Sequence, residues 1–295
     1  MSRTNHPEPD PPAHAEPIGL IAGAGRLPIL VARGLRSQGR QVLAIGFRGQ
    51  YDSELPALCD RFRSVGLLRI GQWSRTLRRF GVERAIMVGG VDKAKTMHDR
   101  WRLLRRVPDR RTATLWYRHL RHDRRSPAIL AAVAEELSRA GVTLIDSTLP
   151  IAEHLAHEGA MTRRLPTQTQ RADVQFAWPV LMASARLGVG QALAVREKDI
   201  LAVEAAEGTT EMIRRAGALC RRGGWTLLKG AGPSHDRRAD VPTIGPETIR
   251  ALADAGAGCA ALEARGVIIL EKPATLALAD ELGVAVLGVP PGPPA

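Results

Sequence analysis

The residues between Lys229 and Pro246 concentrate groups that can do phosphate chemistry. The passage reads Lys229-Gly-Ala-Gly-Pro-Ser-His235-Asp236-Arg237-Arg238-Ala-Asp240-Val-Pro-Thr243-Ile-Gly-Pro246. Aspartates can hold a divalent cation or orient a water, while lysine and arginine can clamp phosphate oxygens. A lysine closing an apolar run, followed by Gly and Pro with two aspartates and two arginines, reads as a loop leaving a strand. Strand ends are where α/β domains place their chemistry. The plain alternative is a salt-bridged surface turn, which accounts poorly for so many charges beside so many glycines and prolines. Two other passages can meet phosphate or metal. In Val203-Glu204-Ala-Ala-Glu207-Gly208-Thr209-Thr210, two carboxylates lie three apart where a strand yields to a helix, and if they open the first helical turn both can face one side. Such a pair can bind Mg²⁺ or complement a helix N-terminus, and the residues alone favour the second role. In Gly23-Ala24-Gly25-Arg26-Leu27-Pro28, glycines at a strand end would let backbone N–H groups approach a phosphate. Whether that loop binds phosphate or is a plain tight turn stays open.

The glycine loop departs from the dinucleotide fingerprint. Pro28 stands where the third glycine belongs, and Phe47 ends the second strand where an acidic ribose partner is expected. Both features argue against a nicotinamide dehydrogenase. His154 and His157 lie three apart with no third ligand in sight, and His98, His119 and His122 belong to a basic stretch, so the spacing argues against zinc. There is no GxSxG, and no Cys–His pair stands out as a nucleophile.

These groups need elements to hold them. Ile18–Ala22 is a short apolar run of the buried-strand type. Apolar residues at helical spacing run from Leu27 to Ser37, with Pro28 tolerated in the first turn. Gly39 ends that helix, and a second strand spans Gln41 to Phe47. This strand–loop–helix–strand unit opens a doubly wound sheet. Further strands are expected at Ala85–Val88 and Val142–Ile145, with an amphipathic helix over Ser126–Arg139. Residues 149–187 read as mostly helical, with a loop near Arg163–Thr167. A second α/β unit follows, with strands at Gln191–Arg196, Ile200–Val203, Trp225–Lys229, Gly266–Leu270 and Val284–Val289. The expected organisation is a disordered tail over 1–17, a Rossmann-like parallel domain over 18–150, a connection over 151–187, a catalytic α/β domain over 188–290 and a frayed end over 291–295.

The bulk properties agree with two modest α/β domains. The chain has 295 residues, 44% hydrophobic and only 4% aromatic, so Ala, Val, Leu and Ile must build the core. The net charge of +12 biases the surface toward anionic partners, although an arginine-rich composition by itself would produce the same excess. Three scattered cysteines, Cys59, Cys220 and Cys259, form no disulfide framework and point to a reducing compartment. No apolar run reaches membrane-spanning length, and the first residues lack a signal peptide's apolar stretch. Arg100–Arg125 holds ten arginines among Trp101, Trp116, Tyr117 and several leucines. That mixture suits an anionic membrane surface or nucleic acid; the alternative is a solvated helical face.

Taken together, the passages resemble the LpxI-type UDP-2,3-diacylglucosamine pyrophosphatases. The likeness runs through Gly19–Pro28, Met161–Thr167, Gly188–Gln191, Ala202–Thr209 and Lys229–Pro246, the last two being the most specific. It implies two α/β domains joined by a linker, a homodimer, and a lipid head group held between the domains. It also implies Mg²⁺- or Mn²⁺-dependent attack of water on the α-phosphorus of a UDP-diacylglucosamine-type lipid, giving UMP and lipid X. The family's Gln-Asp-x-Arg-x-Asp segment matches here with His235 in place of the glutamine, and Gly232 stands near the place of a second family lysine. Carried over, the resemblance makes Asp236, Asp240, Lys229 and Arg238 catalytic. It assigns metal to Asp236, Asp240, Glu204 and Glu207, and substrate to Gly23, Gly25, Lys93, Gln191, Thr209 and Thr243. A cytoplasmic enzyme visiting the inner leaflet, with no specific nucleic acid partner, is the expectation. The alternatives are a relative acting on another nucleotide-linked substrate, a nucleotide-binding oxidoreductase, or a nucleic-acid- or anionic-surface-binding protein without hydrolase activity.

Overall fold

The computed structural model describes residues 16–91, 108–117, 126–232, 236–238 and 241–291. Lys93, His235, Asp240, nearly all of the N-terminal tail and most of Arg100–Arg125 therefore lie outside the described residues.

The first lobe is a five-stranded, wholly parallel sheet built from β1 (Ile18–Ala22), β2 (Val42–Phe47), β3 (Arg61–Val65), β4 (Arg84–Val88) and β5 (Thr143–Leu144), in the order β3-β2-β1-β4-β5. Parallel strands need crossovers, and the intervening segments supply them as helices on both faces. On one face α1 (Leu27–Ser37) buries Ile29, Val31 and Leu35 against Ile18, Leu20, Val42 and Ala44. On the other, α2 (Ile70–Arg79), α3 (Arg110–Leu115) and α4 (Ser126–Arg139) cover Ile21, Leu43, Ile45 and Met87. Side chains alternate along a strand, so β1 sends Leu20 to one helical layer and Ile21 to the other. This is the doubly wound Rossmann-like arrangement.

The second lobe is a mixed six-stranded sheet, β6-β13-β11-β9-β7-β8. Its parallel centre is β9 (Trp225–Lys229), β11 (Ala257–Glu263) and β13 (Ala285–Val289). Antiparallel β7 (Ala192–Arg196) and β8 (Asp199–Val203) lie on one side and β6 (Gly159–Ala160) on the other. Helix α5 (Gln168–Leu187) starts with a Thr167–Gln170 capping box and stops at left-handed Gly188. It lays Val174, Ala177, Trp178 and Leu181 on one face. Helices α6 (Thr209–Leu219), α7 (Pro246–Asp254) and α8 (Lys272–Glu281) close the other.

A two-stranded parallel sheet, β10 (Thr243–Ile244) with β12 (Ile268–Ile269), sits where the lobes meet. Val241 and Ile268 are buried in the same apolar cluster as Leu35 and Val42 of the first lobe. The strand expected at Gly266–Leu270 is thus shorter and belongs to this small sheet, not to the main one. Four strands escaped the sequence reading, among them the two-residue β6 and β10. Edge strand β3, Arg61-Phe-Arg-Ser-Val65, carries two arginines and little apolar signal, and central strand β11, Ala257-Gly-Cys-Ala-Ala-Leu-Glu263, lacks the β-branched residues that mark strands. The 149–187 stretch is less helical than its pattern: a 3₁₀ turn spans Leu149–His154, and α5 begins only at Gln168.

Candidate active site

The C-terminal ends of β8, β9 and β11 and the start of antiparallel β7 share one edge of the second sheet, as their registers require. Lys229 ends β9 there and is only 4% exposed. A buried ammonium must be paired and hydrogen-bonded to be tolerated. Its Nζ donates to Thr209 Oγ1 at 2.7 Å, and that hydroxyl donates to Glu204 Oε1 at 2.6 Å. Glu204 Oε2 lies 3.9 Å from the ammonium and accepts the Gln191 amide at 3.2 Å. Four residues singled out in the sequence (Gln191, Glu204, Thr209 and Lys229) therefore meet at one strand edge. The approach is close: a Cβ on Gly190 would lie 2.0 Å from the Glu204 carbonyl oxygen.

Glu207 does not join them. The two glutamates were expected on a first helical turn, but α6 starts at Thr209, and Gly208 at φ 83° breaks any helix before it. Glu204 turns inward, while Glu207 accepts from Arg215 at 2.5 Å. Its carboxyl is held below the ordinary range, first by its own backbone amide and then by Arg215.

The described residues of the loop after Lys229 are tied at several points. Gly230 N donates to the Gln191 carbonyl at 3.0 Å. Ala231 N and Gly232 N both donate to Glu263 Oε2, at 2.6 and 3.0 Å. Farther on, Asp236 and Arg238 form a two-pronged pair: Nε reaches Oδ1 at 2.8 Å and Nη2 reaches Oδ2 at 2.6 Å. The Asp236 carboxylate raises the Arg238 pKa. Arg237 turns the other way, to the first lobe. Its guanidinium lies 2.9 Å from Asp146 and donates to Thr148 Oγ1 at 2.7 Å, and its carbonyl accepts from both the amide and the hydroxyl of Ser147 at 3.0 Å.

The remaining candidates among the described residues lie elsewhere. Gly23 and Ala24 spend their amides on the Val88 and Gly90 carbonyls, each at 2.8 Å. A Cβ on Gly23 would meet Gly90 O at 2.5 Å, so glycine is needed there for the approach of two loops. Gly25 has φ +91° and open space around its Cβ position. Thr243 sits in the small sheet, its hydroxyl donating to the Val241 carbonyl at 3.0 Å. Among the described residues no three His, Cys, Asp or Glu side chains gather as a metal site. Glu204 faces Lys229, Glu207 faces Arg215 and Asp236 is taken by Arg238, so these carboxylates do not form a ready cation cage.

Sequence reasoning missed Glu263 and Arg237. Glu263 ends the strand whose composition hid it. Arg237 stands beside an identical residue, and nothing in the sequence tells which arginine faces which lobe.

A Rossmann-like parallel lobe joined to a second α/β lobe, with a buried lysine at the head of a strand-end loop that bears a paired aspartate, defines a two-domain α/β protein. Profiles of the LpxI N-terminal and C-terminal domains match residues 17–154 and 157–287. The chain belongs to the LpxI family. A relative from Caulobacter vibrioides, the UDP-2,3-diacylglucosamine pyrophosphatase LpxI, is 32% identical over 287 residues, spanning 93% of this chain and 98% of its own. Among solved structures, the biotin carboxylase domain of Hydrogenobacter thermophilus 2-oxoglutarate carboxylase and the biotin carboxylase subunit of a pyruvate carboxylase are each 12% identical, with TM-scores of 0.25 and 0.26. They cover 70% of this chain and 41% and 42% of their own, and scores so low support no shared fold. No helix among the described residues is long and apolar enough to cross a membrane.

Proposed function

We propose that the protein hydrolyses the pyrophosphate of UDP-2,3-diacylglucosamine in lipid A synthesis. Water attacks the α-phosphorus, the bond from that phosphorus to the bridging oxygen breaks, and UMP and 2,3-diacylglucosamine 1-phosphate (lipid X) leave. The relative's activity and full-length match support the substrate. The observation that carries the reading is the Lys229–Thr209–Glu204 cluster at the head of the loop that bears Asp236 and Arg238.

Cleaving a pyrophosphate builds negative charge on the scissile oxygens, and preorganised cations in a water-poor site stabilise that charge most. Lys229 is already desolvated and held by Thr209 and Glu204, so little reorganisation is needed when phosphate arrives. Arg238, forked onto Asp236, can exchange one carboxylate oxygen for a phosphate oxygen. That exchange frees Asp236 to orient the attacking water, with Asp240 assigned to the same task. Mg²⁺ enters the proposal only through the resemblance, as a requirement that the assay reads directly.

The test is release of UMP from UDP-2,3-diacylglucosamine by the full chain, with Mg²⁺ and with chelator, beside Asp236→Ala. Metal-dependent release lost in the variant is the expected result. A folded wild-type protein that releases none would sink the reading and leave another nucleotide-linked substrate. An inner-leaflet location and a homodimer belong to the same proposal. They are checked by co-sedimentation with anionic vesicles and by sedimentation velocity, and a monomer that ignores vesicles would remove both.

A further inference from the structure

Glu263 is 5% exposed and ends the central strand β11, one residue beyond the Leu262–Lys229 register pair. A carboxylate this deep has to be matched by donors. Its donors are two consecutive backbone amides, those of Ala231 and Gly232, aimed at one oxygen. Successive amides converging on a point form an anion nest, the arrangement that α/β loops offer to phosphate. Here the chain's own carboxylate fills it. The slot is cut to size: a Cβ on Gly230 would sit 2.9 Å from Glu263 Oε2, and one on Gly266 would sit 2.7 Å from its carboxyl carbon. With Gly230 N on the Gln191 carbonyl, the first three amides after Lys229 are all fixed.

We propose that Glu263 is a positioning residue: it locks Ala231 and Gly232 where the chain leaves β9 and so sets the direction in which the loop carries Asp236 relative to the fixed Lys229. This rests on the hydrolase reading above. Glu263 touches no reacting atom. Its effect is on geometry, where a displacement of about 1 Å costs on the order of a hundredfold in rate.

The test compares Glu263→Gln, Glu263→Ala and Glu263→Asp in the full chain, by steady-state hydrolysis and by amide hydrogen exchange over residues 230–246. Alanine frees both amides, so exchange at Ala231 and Gly232 rises and kcat per folded molecule falls about a hundredfold, with KM little changed. Glutamine keeps a neutral acceptor and recovers activity to within about tenfold of wild type. Aspartate keeps the charge but withdraws it by one methylene, and behaves like alanine. Exchange unchanged in the alanine and aspartate variants overturns the proposal, as does raised exchange with undiminished kcat. Wild-type protein with no turnover retires the hydrolase reading, while the exchange data still decide whether Glu263 fixes the loop.

Discussion

Replacing Lys229 by methionine should expose how far the site depends on one buried charge pair. Lys229 and Glu204 have side chains 5% and 12% exposed, with 3.9 Å between ammonium and carboxylate. At an effective dielectric of 20 their attraction is about 4 kcal/mol. Burial of both groups offsets much of this, so the pair adds little net stability, yet deleting one partner strands the other. Each single change, Lys229→Met or Glu204→Gln, is expected to cost about 3 kcal/mol. Glu204 keeps the Gln191 amide and the Thr209 hydroxyl, which holds the figure at the low end of that range. In the double variant neither charge is stranded, so the cycle should show a coupling of about 2 kcal/mol, with the pair of changes less harmful than their sum. Urea unfolding followed by tryptophan fluorescence reads this, since Trp178 and Trp225 are buried in the same lobe. Additivity to within about 0.5 kcal/mol would refute the pairing argument. Hydrolysis by Lys229→Met should fall on the order of 10² to 10³-fold, the scale of removing one preorganised donor.

Two further outcomes follow from local geometry. Gly23→Ala drives a methyl to 2.5 Å from the Gly90 carbonyl oxygen and should cost about 1 to 3 kcal/mol through forced displacement of backbone. Gly25→Ala meets no atom and should cost only the left-handed backbone penalty of about 1 to 2 kcal/mol; thermal melts that reverse this order would mean the loop does not press on β4. For Glu207, the folded carboxyl is depressed below its ordinary 4.5, so its contribution is complete above that value and is lost as pH falls through the folded one. Arg215→Gln should therefore flatten the acid limb of the stability curve below about pH 4.5, and an unchanged limb would remove Arg215 as a cause.

Periodicity read well where elements carry their own signals. Helices α1 and α4 and strand β9 have the bounds expected from apolar spacing and terminal residues. The reading failed where packing overrides composition. Strand β11 is Ala- and Gly-rich, a poor strand former in isolation, and is extended because it fills the narrow centre of a sheet with helices on both faces. Missing it also hid Glu263, since a glutamate is noticed at a strand end only if the strand is seen. The lysine, threonine and glutamate of the site were legible because each closes or opens an element and the sheet gathers such ends at one edge. That Glu207 turns away was not legible, because the spacing of two carboxylates says nothing about a glycine that breaks the helix between them and Thr209.

The two lobes serve the loop differently. The second lobe supplies the charged cluster and, through Glu263, the fixed start of the chain that leaves it. The glycine loop of the first lobe spends the amides of Gly23 and Ala24 on its own β4 segment. What the first lobe contributes to the loop is support: Asp146, Ser147 and Thr148 hold Arg237, and its apolar layer takes up Val241. Asp236 and Arg238 flank Arg237, so the paired side chains are carried on a segment whose middle is fastened across the lobe boundary. A shift of one lobe against the other must therefore move Asp236 relative to Lys229, which is fixed in β9. Lobe arrangement and alignment of these charged groups are in this way coupled: Arg237, the Lys272 ammonium on the Glu153 carbonyl and the apolar contacts of Val241 and Ile268 join the lobes, while Glu263 fixes the start of the same loop.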